Sequence, residues 1–319
     1  MNLIDLHCDT AFMMSIAKEP VELRSNNLCV DLERMKAAGS MAQFFASFLH
    51  MKYFEGDFGK AYEAALAMMR RTKSEMEKNA DLIRLATSYE DLMRNYNDGL
   101  MSGILTVEEG GIIDGKMERL EELHKEGVRL ITLTWNFENC FGYPNSDDAE
   151  FMKQGLKPFG IEAVERMNEL GMIVDVSHLS DGGFWDVMKY SKKPAIASHS
   201  NARRECGHRR NLTDEMIRAL AEKGGVSGLN FYPAFLSESG TANIDDIVRH
   251  IVHMYHVGGE EFVAIGTDFD GFEGAVDGLE HMGKMSEFYD ALRKRKFTES
   301  QIEKFCYKNA LRVMKDVMR

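Results

Sequence analysis

The chain has 319 residues, with 51 Asp and Glu against 39 Lys and Arg and a formal net charge of -12, so it presents no basic field to attract nucleic acid. With 44% hydrophobic residues and only 5 prolines it lacks the composition of a disordered chain. Its 5 cysteines, odd in number and without CxxC spacing, exclude a disulfide framework or zinc ribbon. Together with the absence of a basic n-region, a transmembrane-length apolar run and a hydrophobic C-terminal tail, they lead us to expect a cytoplasmic protein with no membrane partner.

The first strand-like run, "LIDLH" (3–7), leads into "HCDT". Strand alternation predicts that Asp5, His7 and Asp9 share one face and Leu6 and Cys8 the other. Such a polar row is costly to bury unless a cation compensates it. "DLERMKAAG" is a helix, and "AQFFASF" (42–48) is the second strand. The long helix "KAYEAALAMMRRTKSEMEKN" and a possible ninth strand, "IRLAT" (83–87), form an insertion between the second and third units. "SGILTVE" (102–108), "VRLITLT" (128–134), "MIVDVSH" (172–178), "PAIASH" (194–199), "GVSGLN" (225–230) and "FVAIGTD" (262–268) complete eight strands. Amphipathic segments such as "KMERLEELHKEG", "GIEAVERMNELG", "TDEMIRALAEKG" and "IDDIVRHIVHMYHVGG" lie between them, several with an Asp or Thr start and a Gly stop. Two helices, around 284–295 and 299–317, follow. Eight strand-then-helix units match a closed (β/α)8 TIM-type barrel, a single domain over 1–319, better than an open doubly wound sheet.

A barrel of this kind carries its active site at the C-terminal strand ends. Those ends hold His7 and Asp9, Glu108 and Glu109, Trp135 and Asn136, His178, His199, and Asp268. Each alone has an ordinary reading: a hydrogen-bonded histidine, or an acid capping the next helix. Their coincidence at one rim, from separate strands, points to a hydrolytic metal site. Nitrogen and oxygen donors without thiolate suit Zn²⁺, with Mn²⁺ or Co²⁺ as alternatives. Five donors exceed one tetrahedral ion's need, so a carboxylate shared between two ions is expected.

In order, "DLHCDT", "VEEGG", "DVSHLS", "SHSNARRECGHRRN" and "GTDFDG" resemble the renal (membrane) dipeptidase family of zinc peptidases over about residues 5–315. The resemblance implies two Zn²⁺ per chain. His7 and Asp9 would hold the first, His178 and His199 the second, and Glu109 would bridge them, preferred over Glu108 because it directly precedes the glycine pair. It further implies Arg210 as the holder of a substrate carboxylate, Asp268 as the catalytic acid/base, a small dipeptide substrate with tolerance of a C-terminal D-residue, and a homodimer. One departure stands out. Better-known relatives have His after "TLT", where this chain has Trp135, whose indole only donates; that N–H or the amide of Asn136 is then the expected donor to the substrate carbonyl.

Two rival functions share parts of this pattern: an amidohydrolase of another small amide or lactam, and a catalytically silent metal- or peptide-binding homologue. The first is disfavoured by HxD in place of HxH and by the lack of Lys in "VRLITLTWN". Asp5 and Asp175 are candidates for orienting ligand imidazoles. His250, His253 and His256 read as helix-packing or surface residues, and "YPAF" (232–235) as a pocket wall.

Overall fold

The structure is a computed structural model and describes residues 1–318. Nine strands form one sheet in which every pairing is parallel: β1 (Leu3–Cys8), β2 (Ser40–Phe48), β3 (Ile83–Leu85), β4 (Met101–Glu108), β5 (Val128–Thr132), β6 (Ile173–Asp175), β7 (Ile196–Ala197), β8 (Val226–Leu229) and β9 (Val263–Ile265). β2 pairs with both β1 and β4, and β9 with both β8 and β1, so β1-β2-β4-β5-β6-β7-β8-β9 closes into an eight-stranded barrel. β3 is the extra strand, paired with only the first residues of β4 (Met101–Gly103). It lies in the expected insertion, between the 21-residue helix Phe58–Lys78 and the helix Tyr89–Asn97.

Local signals start and stop the helices as the sequence suggests. Asp31, Ser88 and Thr213 each accept a backbone N–H as N-caps, while Gly39 and Gly171 end their helices in the left-handed conformation. Apolar residues divide into two layers. Ile4, Phe44, Ile104, Leu130, Ile173, Ile196, Val226 and Ala264, one from each barrel strand, pack inside the cylinder with Val313, Met314 and Val317 of the helix Asn309–Val317. That helix closes the barrel floor, leaving the opposite, C-terminal mouth for polar side chains. The larger apolar layer lies between the strands and the surrounding helices.

Two expectations need correction. Strict alternation fails in β1, where Leu6 joins Ile4 in the interior cluster but Cys8 joins Leu3 in the outer one. The cause is a register shift against β2, with Asp5 opposite Gln43 but Cys8 opposite Phe45, which places one extra residue in β1. The later strands are also shorter than their apolar runs. β6 stops at Asp175 and β9 at Ile265 because the chain then turns toward His178 (φ 67) and Asp268 (φ 60), both in the left-handed region.

Candidate metal centre and active site

The mouth gathers the predicted histidines and acids. His7 Nε2 lies 3.4 Å from Asp9 Oδ2, 3.3 Å from Glu108 Oε2 and 3.7 Å from Asp268 Oδ1. Across the site, Glu108 Oε1 lies 3.1 Å from His178 Nε2 and 3.5 Å from His199 Nε2. One oxygen of Glu108 therefore faces His7 and the other faces His178 and His199. Glu108 thus offers one oxygen to each side of the cluster.

Glu109, the residue preferred from sequence, is not in that position. Its carboxylate accepts hydrogen bonds from Asn139 Nδ2 (2.6 Å), Gly111 N (2.8 Å) and Trp135 N (3.2 Å). The physical reason is strand parity. Ile104 points into the barrel whereas Leu105 and Val107 point out, which carries Glu108 inward; the chain then leaves β4 and Glu109, at φ 91, swings its side chain away. Parity counted from Ile104 would have chosen Glu108.

The hydrogen-bond pattern fits a bound cation. Asp175 Oδ2 takes the proton of Ser198 Oγ (2.6 Å), so Ser198 Oγ must accept from His199 Nδ1 (2.7 Å), and His199 Nε2 keeps its lone pair. Asn136 Oδ1, an acceptor, lies 3.1 Å from His178 Nδ1 and leaves the lone pair of His178 Nε2 free as well. These two lone-pair nitrogens face one another at 3.0 Å, an arrangement that a shared positive ion relieves. Both ring nitrogens of His7 and Asp9 Oδ1 are buried without a hydrogen-bond partner. Ligand atoms of His7, Glu108 and His199, and likewise of His7, Asp9 and Asp268, lie within 4.8 Å of one another.

Electrostatics give the same picture. Burial, with Arg210 nearby, lowers His178 to about 3 and drives His199 well below the usual imidazole range. Burial also raises Asp268 to about 8 and, helped by the charge of Glu108, raises Asp9 to about 6. Burial works against charge on Glu108 too, but the facing His7, whose own imidazole is held well above its ordinary range, is the largest opposing cause and leaves that carboxyl well below its ordinary range. Without a cation, this crowd of buried acids is frustrated.

Residues around the cluster fix it in place. Asp175 accepts from Thr132 Oγ1 (2.6 Å), Ser177 N (2.9 Å) and Ser198 N (2.8 Å), tying β5, β6 and β7 together beneath His199. Asp5 does the equivalent between β1 and the end of β9, accepting from Thr267 N (2.8 Å), Thr267 Oγ1 (2.7 Å) and the backbone N of His7 (3.3 Å), and it makes no hydrogen bond to a histidine ring. Asn230 Nδ2 donates to Asp268 Oδ2 (2.9 Å). A Cβ at Gly271 would lie 2.3 Å from Asp9 Oδ2 and 2.4 Å from Asp268 Oδ1, so any side chain there would displace the carboxylates over which the "DFDG" turn closes.

Above the acids is a cavity of about 420 Å³. Trp135 and Asn136 line it, as expected, together with Tyr232 and Phe235 of "YPAF"; Phe48 and His50 are lining residues that the sequence reading did not single out. No sequence signal marked them, because each looks like an ordinary aromatic at a strand end. Arg210 is not in the lining. Its guanidinium is buried against the ring of Phe235, 5.4 Å from the centroid, donates to Ser200 Oγ (3.0 Å) and His199 O (3.2 Å), and keeps Nε unpartnered. Burial lowers it to about 10, which leaves it cationic at neutral pH.

Known proteins resemble the chain over its whole length. The profile of the membrane dipeptidase family (peptidase family M19) matches residues 1–319. A protein of Schizosaccharomyces pombe described as an uncharacterized dipeptidase is 31% identical over 335 aligned residues, covering 98% of this chain and 80% of that one. The crystal structure of a metallopeptidase described as dipeptidase AC superposes with a TM-score of 0.91 at 26% identity, covering 100% of this chain and 99% of its own. A metallopeptidase from Rhodobacter sphaeroides, liganded with a phosphinate mimic of the dipeptide L-Ala-D-Ala, superposes with a TM-score of 0.90 at 25% identity over 99% of both chains. No helix among the described residues is long and apolar enough to cross a membrane. Barrel, mouth chemistry and full-length similarity converge: the chain belongs to the membrane dipeptidase family, peptidase family M19.

Proposed function

We propose that this M19 dipeptidase acts as one zinc-dependent hydrolase domain over 1–319, holding two Zn²⁺ and cleaving dipeptides, including those with a C-terminal D-residue. His7 and Asp9 would hold one ion, His178 and His199 the other, and Glu108 both. The carrying observation is the split of Glu108, with Oε2 toward His7 and Oε1 toward His178 and His199. When bound, the ions supply Lewis acidity that polarises the scissile carbonyl and acidifies the attacking water.

Asp268 then acts as the acid/base. It sits at the mouth with Oδ1 toward His7 and Oδ2 held by Asn230, takes the proton of the attacking water and delivers it to the leaving amine. Asn136, whose carbonyl oxygen is occupied with His178, has its NH2 left to donate toward the substrate, and Trp135 walls the same side. Arg210 holds the free C-terminal carboxylate. A guanidinium forks onto a carboxylate at fixed geometry, so only a substrate ending one residue past the scissile bond engages it. Tolerance of a D-residue is supported by the L-Ala-D-Ala mimic bound to the Rhodobacter sphaeroides relative. The resemblance to the family also favours a homodimer, and the scattered, odd-numbered cysteines favour a reducing, cytoplasmic location.

The test combines metal analysis of the purified protein with hydrolysis of L-Ala-L-Ala, L-Ala-D-Ala and L-Ala-L-Ala amide. The expected result is two zinc ions per chain, turnover of both dipeptides, and at least a tenfold lower kcat/KM for the amide. Metal uptake without dipeptide turnover would sink the reading, and equal rates on acid and amide would remove the role of Arg210.

A further inference from the structure

The helix Ile244–Gly258 carries a histidine pair that the catalytic reading leaves unused. His250 is fully buried, and both of its ring nitrogens are engaged. Ala202 N donates to Nδ1 (3.2 Å), so Nε2 carries the proton and donates to Leu236 O (3.1 Å). Those partners lie on two different segments, 199–212 and 230–237, and both border the mouth.

The first segment is a narrow loop closed by Leu212 N to Asn201 O (2.8 Å) and Arg203 N to Leu212 O (2.7 Å). Ala202, between those two bonds, turns its own N–H outward to His250. Arg210 therefore sits two residues from Leu212, on the strand of the loop opposite the anchored alanine. The second segment carries Tyr232 and Phe235, and the Phe235 ring is the face against which Arg210 lies. One turn further along the helix, His253 faces Glu205 inside that loop (Nδ1 to Oε1, 3.3 Å) and Asp214, the first residue of the helix that follows it (Nε2 to Oδ1, 2.7 Å).

We propose that His250 is a positioning residue for substrate binding: by accepting the Ala202 N–H at Nδ1 it anchors the loop that carries Arg210 against the Phe235 wall, and thereby sets the placement of the substrate's C-terminal carboxylate, while the bond from Nε2 to Leu236 O orients the ring. This inference rests on the reading of Arg210 as the carboxylate holder. Apolar packing does not account for the residue, because Ile247, Ile251 and Met254 already supply the buried face of this helix and burying an imidazole is unfavourable unless both nitrogens are bonded. Burial holds it neutral, lowered to about 4, which keeps Nδ1 available as an acceptor at neutral pH.

Three variants of the full-length metalloenzyme separate the possibilities. Asparagine places a carbonyl oxygen where Nδ1 stands, and glutamine places an NH2 near Nε2. His250→Ala is expected to raise KM for L-Ala-L-Ala at least fivefold with kcat within twofold and metal content unchanged, and to erase most of the preference for the dipeptide over its amide. His250→Asn should restore KM and preference, whereas His250→Gln should resemble alanine. If alanine fails to fold, the contrast between asparagine and glutamine still decides. Wild-type enzyme without a dipeptide preference would overturn the Arg210 reading itself. A wild-type preference retained in His250→Ala or His250→Gln, or a loss of kcat and metal together in all three variants, would overturn this proposal alone.

Discussion

A carboxylate that faces three imidazoles and one fed by three N–H donors differ in what amidation does to them. Glu108→Gln removes the charge that both sides of the cluster share and brings an NH2 against lone-pair nitrogens. It should reduce bound metal below one ion per chain and abolish turnover, as read by elemental analysis and dipeptide assay. Glu109→Gln leaves the cluster intact, so metal content should hold; its cost, about 1–3 kcal/mol in urea unfolding, comes from setting an NH2 against the N–H of Gly111, Asn139 or Trp135. Asp268→Asn should lower kcat at least a hundredfold with metal content equal to that of the wild type; loss of metal in parallel would show it to be a ligand instead. At this scale the ligand types were legible because Asp, Glu and His at strand ends are chemically conspicuous. The choice between two adjacent glutamates lay in strand parity counted from Ile104 rather than in the position of the glycine pair, and the torsion at Glu109 that turns its side chain away is not written in the residue types.

Elements carry the next layer of control. The histidine-bearing helix Ile244–Gly258 is read correctly as amphipathic, yet its polar anchors look like surface residues in a linear pattern; only tertiary placement shows His250 beneath the Arg210 loop. A neutral buried imidazole also makes stability depend on pH. Burial is the largest cause of its lowered value; the bond to Leu236 O opposes it next in size, Arg249 and His253 add to the lowering, and Asp246 opposes it least. The folded value, about 4, is below the ordinary 6.5, so the unfolded chain takes up the proton first and stability falls as pH drops through that window. Between pH 7 and pH 5 the loss is about 2 kcal/mol from this group. His250→Gln should show a pH slope shallower by that amount in urea unfolding. Strand lengths were overread for a related reason: apolar patterning continues through "VDVSH" and "IGTD", but positive φ at His178 and Asp268 ends the ladder, and hydrophobicity does not report φ.

For the whole molecule, repetition made the architecture readable. Eight alternating units imply a parallel barrel, and the added strand and long helix fall where the apolar run and helical period put them. The role of the last helix was less visible, because an amphipathic segment does not state which surface it covers. Met314 lies fully buried in the barrel floor, so Met314→Ala should cost about 2–5 kcal/mol in urea unfolding without changing KM, since the cavity opens at the end remote from the mouth.

The seam between β1 and β9, fastened by Asp5 and Thr267, joins the first strand made to the last. During synthesis, His7 and Asp9 must therefore wait for Asp268 until some 260 intervening residues have emerged. Until that join is made, a nascent chain offers scattered donors without the completed pocket, and high-affinity loading is deferred to the final act of folding.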